Sequence, residues 1–201
     1  MEKAIKESNE ITVKIKCSIN ELFSTLEKKG FKVIDKFSID DTYFIPKNIK
    51  LSKMKPREIL SKAILVRDVR GKMSNRVTKL ITYKIKNYDK AGNILSQKSI
   101  NCKIEEINEA KKLLKAIGYK KIMKITEEDT VYGNGELELA IKNIKNGDNL
   151  IEIETFENEN LNTIEKLIKK INEIKIPIYT NNYFVKKAEI ELQKFIKKEV
   201  S

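Results

Sequence analysis

Acidic and basic residues occupy every second position in several short stretches of this sequence. The stretch EITVKIK, which begins at Glu10, puts its charged and hydroxyl side chains on one side of an extended strand and its apolar side chains on the other. The stretch LIEIE does the same with Glu152 and Glu154. Carboxylates can bind a divalent cation, and lysine or arginine can bind phosphate oxygens. These stretches therefore contain the residue types of a metal-assisted phosphate site.

Three further stretches alternate in the same way, and they can be interpreted in two ways. ILVR ends at Arg67, LITYK ends at Lys84, and ELELA carries Glu136 and Glu138. One interpretation is a half-solvated antiparallel sheet with its charged side in water. The other is a sheet that closes into a barrel with a charged interior, where bases compensate neighbouring acids that would otherwise repel each other. Alternation alone leaves both interpretations open.

Composition limits the chemistry more firmly. The chain has 201 residues, with 41 basic and 29 acidic side chains and a formal net charge of +12. This excess of positive charge favours a polyanionic ligand, although lysines spread over the surface would produce the same total. All four arginines lie within residues 57–76. There is no histidine, which excludes histidine-dependent nucleophilic catalysis and the usual zinc sites.

An internal repeat predicts how these strands are organised. Residues 19–44 align with residues 107–132 without a gap at an offset of 88, and ten of the 26 positions are identical. The matches include Gly30 with Gly118, each predicted to end a helix in the left-handed conformation. They also include the Asp-Thr pairs that begin at Asp41 and Asp129. Each copy reads as strand, helix and three further strands, which indicates a duplication.

The whole chain, 1–201, is predicted to form one α+β domain. Its pseudo-repeats span about 10–87 and 96–156, and C-terminal helices follow over 160–201. The last helix, 184–198, is amphipathic, and we expect it to lie on the outside of the sheet with one face in solvent. Short links between successive strands favour antiparallel pairing.

Taken in order, the motifs resemble the CYTH family, also called triphosphate tunnel metalloenzymes. EITVKIK resembles the family's opening Glu-x-Glu-x-Lys strand, DDTYF its Asp-x-Tyr-Phe segment, and ILVR its Leu-Arg-Ile-Arg strand. LITYK resembles its Leu-Thr-Tyr-Lys strand, LLKAIGY its central helix end, and ELELA with LIEIE its paired closing strands. The resemblance covers about 1–160. It implies a closed antiparallel eight-stranded β-barrel with flanking helices, in which the charged faces point into the tunnel.

The resemblance also implies site residues and a cofactor. Catalysis would fall to Glu10, Lys14, Arg67 and Lys84. The three bases among them, together with Lys16 and Lys124, would bind the substrate. The metal, Mg²⁺ or Mn²⁺, would be bound by Glu10, Glu138, Glu152 and Glu154. Three positions depart from the family pattern, since Thr12 and Ala140 replace acids and Leu65 replaces an arginine. Each departure removes a charge from the expected site.

These expectations leave three functions open. The first is a divalent-metal-dependent phosphohydrolase acting on inorganic tripolyphosphate or on an organic or nucleoside triphosphate. The second is a class IV-type adenylyl cyclase, and the third is a noncatalytic protein that binds polyphosphate or nucleotide. The expected ligand is a small molecule containing a triphosphate, with no membrane and no nucleic-acid partner, and a homodimer stays open. Two cysteines and a charged N-terminus favour a cytoplasmic protein.

Overall fold

The computed structural model describes residues 10–88, 94–154 and 163–200, so parts of the predicted repeat and helix ranges, 155–162 and 201 among them, lie outside the described residues. No helix in the described ranges is long and apolar enough to cross a membrane. Eight strands and five helices, with a 3₁₀ turn at Leu51–Lys53, follow one another in this order: β1 Glu10–Lys14, α1 Ile19–Lys28, β2 Lys32–Pro46, α2 Pro56–Leu60, β3 Ile64–Gly71, β4 Val77–Tyr88, β5 Ile94–Lys103, α3 Ile107–Ala116, β6 Tyr119–Gly133, β7 Glu138–Ile144, β8 Asn149–Glu154, α4 Ile164–Ile174 and α5 Lys187–Val200.

The same local signals shape the two copies of the repeat. Helix α1 is capped by Ser18, whose hydroxyl accepts a hydrogen bond from the backbone N–H of Glu21 at 3.3 Å. Two residues after α1 and α3, Gly30 and Gly118 adopt φ values of +82° and +92°. A side chain is disfavoured in this left-handed conformation, so the predicted role of both glycines in ending the helices is confirmed.

The strands form one antiparallel sheet with an internal two-fold relationship. Its order is β1-β8-β7-β6-β2-β3-β4-β5, so the central pair joins the second strand of each copy. In that pair Asp41 lies opposite Ile125, and Phe37 lies opposite Asp129. The repeat offset of 88 residues exchanges these two pairs exactly as a two-fold axis between β2 and β6 would. The predicted eight antiparallel strands, the α+β class and the two related halves are therefore observed.

The expected closed barrel is not observed. Within the described residues the sheet is open, with β1 and β5 at its two edges. A C-terminal segment, 177–185, pairs with the outer edge of β1: the N–H of Thr12 donates to the carbonyl of Tyr183 at 2.9 Å, and the N–H of Val185 donates to the carbonyl of Thr12 at 3.0 Å. The backbone groups that would join β1 to β5 are thus used by this segment, because each N–H and C=O must find a partner.

The outer face of the sheet is covered by three helices. Helices α1 and α4 pack on the apolar sides of β1, β7 and β8, where Val13, Leu139 and Ile151 are buried. Helix α3 covers Phe44 and Val66 from β2 and β3. This arrangement places the apolar positions of each alternating strand outward under helices and the charged positions on the inner face.

The inner face is apolar at one end and charged at the other. At the apolar end, strand residues such as Leu65 and Leu150 pack with α2 and α5, including the fully buried Leu192 of α5. Burial of one such leucine contributes about 2 kcal/mol. Helix α5 thus crosses the inner face, and the expectation that it lies outside the sheet is wrong. The charged end stays uncovered and lines a cavity.

Candidate active site

The charged end of the inner face surrounds a cavity of about 730 Å³. Residues from both edge strands, β1 and β5, line it together with residues from β3, β4, β7 and β8. The sheet is therefore curled around the cavity although it is not closed. The segment from Phe184 to Glu189 completes the wall where β1 and β5 do not meet.

One wall of the cavity is acidic. Glu10 of β1 lies directly opposite Glu154 of β8, and Glu152 lies opposite Thr12 in the next inward-facing row. Ala140 flanks Glu152 on its other side, so the two positions that depart from the family pattern lie beside this carboxylate. Two acids directly opposite each other destabilise a strand pair unless a positive charge compensates them. The acidic wall therefore favours a cation.

The facing wall is basic. Arg67 of β3 and Lys84 of β4 line it. The Arg67 guanidinium donates two hydrogen bonds to the carboxylate of Asp41, each 2.7 Å long. Burial would raise the pKa of Asp41, but the hydrogen bonds and charge of Arg67 outweigh it and lower that pKa. Asp41 is therefore ionised and holds Arg67 against the cavity.

The second half of the sheet contains the counterpart of this pair. Asp41 is directly opposite Arg67, and Asp129 is directly opposite Lys142. Since Asp41 and Asp129 are equivalent in the repeat, Lys142 occupies the position of Arg67. The Lys142 ammonium lies 3.1 Å from Asp129, 3.3 Å from Glu152 and 3.9 Å from Glu127. One buried lysine thus serves three carboxylates.

The acids around this shared lysine have pKa values shifted in opposite directions. Burial raises the pKa of Asp129 to about 6, and Glu127 adds to the rise while Lys142 opposes it. Burial also acts on Glu152, but the charges of Lys142, Lys187 and Lys84 outweigh it and lower that pKa to about 2. One oxygen of Asp129, Oδ1, is buried without a hydrogen-bond partner among the described residues, which fits a carboxyl group that takes up a proton easily.

A further base reaches the cavity from α5. The Lys187 ammonium donates to both carboxylate oxygens of Glu127, at 2.7 and 2.8 Å. Glu127 is fully buried, and Lys187 retains some exposure on the cavity side. Each of Arg67, Lys142 and Lys187 is therefore bonded to an acid behind it.

Of the residues predicted from the sequence, Glu10, Arg67, Lys84, Glu152 and Glu154 line this one cavity. The other four lie elsewhere. Lys14 is four residues along β1 from Glu10, about 13 Å away, and its ammonium lies 2.7 Å from Asp148. Lys16 lies over the ring of Tyr179 at 5.3 Å.

Lys124 and Glu138 are also outside the cavity. Lys124 faces the outer side of β6, where its ammonium lies 2.9 Å from Asp40. Residues on both sides of this part of β6 are buried, and the β2–β6 register shifts next to Ile122, so alternation does not identify the inner face there. Glu138 has the inward parity of Ala140 but lies exposed at the first residue of β7.

The acidic wall has the oxygen ligands that Mg²⁺ or Mn²⁺ prefers, and its opposed carboxylates gain from a cation between them. Within the described residues, no three acidic or cysteine side chains are already drawn together as a metal cluster. Glu152 is held towards Lys142 instead. Glu10, Glu152 and Glu154 fit a divalent ion by type and position, and binding would draw their carboxylates together.

Sequence reasoning missed five residues of the site: Asp41, Glu127, Asp129, Lys142 and Lys187. A signal for three of them was present. Asp41 and Asp129 are matched positions of the repeat, and Lys142 continues the alternation that contains Glu138 and Ala140. Nothing in the pattern of α5 distinguishes Lys187 from the other lysines of that helix.

Comparisons with known proteins fit this architecture. No protein-family model matches the chain. The chain is 24% identical over 188 residues to a protein of Methanocaldococcus jannaschii named "Putative adenylate cyclase MJ0240", covering 92% of this chain and 98% of that one. The solved structure of the PH1819 protein from Pyrococcus horikoshii is similar with a TM-score of 0.67 and 20% identity, covering 93% of this chain and 99% of that one.

A third similar structure is HpAC1 from Hippeastrum, with a TM-score of 0.52 and 13% identity, covering 90% of this chain and 91% of that one. These structures share the fold of the described sheet and helices. Together with the relative from M. jannaschii and the ordered strand motifs, they support the family that the sequence predicted. In its fold and in the order of its strand motifs, the chain is similar to CYTH-like proteins.

Proposed function

We propose that this protein is a divalent-metal-dependent phosphohydrolase that acts on a triphosphate held in the cavity. The observation that carries the proposal is the facing pair of walls, with Glu10, Glu152 and Glu154 on one side and Arg67 and Lys84 on the other. The relatives add support, since HpAC1 is described as a putative adenylyl cyclase with a dominant triphosphatase activity.

In this proposal the two walls have different roles. Arg67 and Lys84 bind nonbridging phosphate oxygens and neutralise the charge that builds on them. The fixed Asp41 keeps the Arg67 fork in one orientation, so little reorganisation is needed when the substrate enters. Glu10, Glu152 and Glu154 would hold Mg²⁺ or Mn²⁺, which when bound would supply further charge neutralisation at the phosphate oxygens.

The reaction is hydrolysis of the terminal phosphoanhydride. A water oxygen forms a bond to the terminal phosphorus, the bond from that phosphorus to the bridging oxygen breaks, and one water proton passes to the departing phosphate chain or to solvent. Phosphate and the shortened phosphate chain are the products. Such a transfer requires in-line positioning and charge stabilisation more than covalent chemistry. The cavity residues of this chain supply both.

A specific feature favours noncatalytic binding as a second candidate. The buried acids Asp41, Glu127 and Asp129 partly neutralise Arg67, Lys142 and Lys187. A polyanion therefore meets a weaker positive field than the number of bases suggests. In this alternative the cavity binds a triphosphate but does not stabilise the additional charge of the transition state.

A cyclase is the remaining alternative, and the name of the M. jannaschii relative favours it. In that reaction the ribose 3′-hydroxyl of ATP attacks the α-phosphorus and pyrophosphate leaves. The products distinguish the reactions, because a cyclase forms cyclic AMP and pyrophosphate whereas a hydrolase forms ADP and phosphate.

The test is product release from tripolyphosphate, ATP and thiamine triphosphate, each with EDTA, Mg²⁺ or Mn²⁺. We expect metal-dependent phosphate release. Glu154→Gln should lose it, while the matched variant Glu136→Gln, which removes a carboxylate bonded to Lys170 at 2.6 Å outside the cavity, should keep it. Triphosphate binding without any product would refute the hydrolase and support the binding protein.

A further inference from the structure

Lys142 of β7 stands among three carboxylates that come from the two neighbouring strands, β6 and β8. Its ammonium lies 3.1 Å from Asp129, 3.3 Å from Glu152 and 3.9 Å from Glu127. The lysine side chain is 8% exposed, and those of Asp129 and Glu127 are 0% exposed. Acids buried in this way are costly unless a cation compensates them. The three carboxylates are therefore arranged around a positive charge.

The matched positions in the first half of the sheet carry fewer acids. Arg67, the counterpart of Lys142, donates two hydrogen bonds to the carboxylate of Asp41. The positions that correspond to the other two acids are occupied there by Ile39 and Thr82. One carboxylate is thus enough to hold a base of this sheet in place, and the group around Lys142 contains two more. Such an excess of buried negative charge attracts a cation.

The distances around Lys142 suit an ammonium, whereas a divalent ion needs shorter ones. Oxygen ligands lie about 2.1 Å from Mg²⁺ and about 2.3 to 2.6 Å from Ca²⁺. The lysine therefore keeps the carboxylates too far apart for a metal cluster, and none is found in the described part of the chain. One ligand atom is nevertheless available, because Oδ1 of Asp129 is buried without a hydrogen-bond partner among those residues. Lys142 thus fills a place towards which oxygen ligands already point from two strands.

We propose that the Lys142 ammonium takes the place of a second divalent cation in this cavity, and that a small neutral residue at this position would turn Glu127, Asp129 and Glu152 into a metal site. The inference deepens the proposed function and rests on it only in placing one divalent ion at the acidic wall. With Lys142 present the cavity binds that single ion. The lysine charge is covalently attached, so a chelator that removes the ion leaves the three carboxylates compensated.

The number of Mn²⁺ ions bound per chain tests the inference without an assay of activity. Electron paramagnetic resonance measures free Mn²⁺ in titrations of the wild type and of Lys142→Ala. We expect one ion per wild-type chain and two per chain of the variant, because the variant has three uncompensated carboxylates and room for an ion between them. The double variant Lys142→Ala with Asp129→Asn removes one of those carboxylates and should bind one ion again.

Arg67→Ala is the matched control. It removes the corresponding base of the first half and leaves the carboxylate of Asp41, which is too few ligands for Mn²⁺, so the number of bound ions should equal that of the wild type. Two results would overturn the inference. One is a Lys142→Ala chain that binds no more ions than the wild type. The other is a double variant with Asp129→Asn that keeps the additional ion, which would place that ion elsewhere.

Folding of each variant is monitored by circular dichroism in EDTA. If Lys142→Ala is unfolded there, Mn²⁺ should restore the signal of the folded chain, because an ion that binds the native carboxylates stabilises the folded state. A variant that stays unfolded at saturating Mn²⁺ would also overturn the inference. The loss of Lys142 thus has a decisive outcome whether or not the variant folds without metal.

Failure of the proposed hydrolase is distinguishable from failure of this inference. A wild type that binds no Mn²⁺, with one ion in Lys142→Ala, would refute the metal-dependent hydrolase and leave the role of Lys142 intact. One ion in both chains, with phosphate release by the wild type, would refute only the role of Lys142. No ion in either chain would overturn both.

Discussion

Replacement of Lys142 by methionine tests the shared-lysine cluster directly. Methionine keeps the length of the side chain and removes the charge that serves Asp129, Glu152 and Glu127. Removing one partner from a buried ion pair costs about 3 to 5 kcal/mol, because the remaining charges stay buried without compensation. For a chain of this size, that loss lowers the melting temperature by roughly 10 °C.

The loss should depend on pH with a definite sign. The pKa of Asp129 is already raised to about 6, so ionising this acid costs the folded state stability as pH rises from about 4 through 6. Without Lys142 the pKa rises further, and the cost at neutral pH increases. The pKa of Glu152 is lowered to about 2, so its stabilising contribution operates above pH 4.5, and the variant loses it at both pH values. The destabilisation of Lys142→Met should therefore be largest at pH 7.5 and fall by roughly half at pH 5.5.

Urea denaturation at pH 7.5 and 5.5 provides the assay, with the midpoint and slope recorded for each variant. The double variant Lys142→Met with Asp129→Asn should recover part of the loss at pH 7.5. Lys170→Met removes a half-buried lysine bonded to the exposed Glu136 and should change the midpoint little at either pH. A loss below about 1 kcal/mol, or an equal loss at both pH values, would refute the shared-lysine argument.

Three further predictions concern other parts of the molecule. In steady-state assays of phosphate release, Glu154→Gln should lower kcat about a hundredfold or more, whereas Glu138→Gln should leave kcat unchanged. Equal losses of kcat would mean that a position at the cavity does not determine which carboxylates take part in the reaction. Arg67→Lys should raise KM for the triphosphate, because lysine cannot keep the two-pronged contact with Asp41 and a fixed orientation, and an unchanged KM would contradict its role in the basic wall. Gly118→Ala should lower the free energy of unfolding by about 1 kcal/mol, because the φ of +92° at this position disfavours a side chain. The cost is one of backbone conformation alone, since no atom lies within 4 Å of an added Cβ. An unchanged urea midpoint would show that the helix end relaxes.

Alternation in the sequence was a good guide where a strand has one apolar side. It assigned Glu10 and Glu154 to the charged sides of their strands, and both residues line the cavity. The repeat predicted the order of the elements. Alternation failed at Lys124, because Ile122 and Met123 are both buried in β6. A strand that is apolar on both sides gives no period of two.

No pattern of side chains in the sequence predicts the C-terminal part of the site. Segment 177–185 joins β1 through backbone hydrogen bonds. Every residue has a carbonyl that can accept such a bond and, except for proline, an N–H that can donate one. Helix α5 packs where Leu192 contacts apolar residues of the inner face. In the closed barrel that the sequence predicted, that face would be polar. Tertiary packing therefore determines both the openness of the sheet and the position of Lys187 at the cavity.

The two-fold register explains how one cavity came to have walls of opposite charge. Opposed pairs in the two halves show that Thr82, Lys84 and Ser99 occupy the positions of Glu152, Glu154 and Glu10 respectively. In an ancestral dimer of single halves, both walls would carry identical residues, so neither could specialise. Two copies within one chain are free to differ, and here one wall carries bases and the other carries acids. Asp41 and Asp129, which lie on either side of the two-fold axis, are identical in the two halves, and each pairs with the base on the strand beside it.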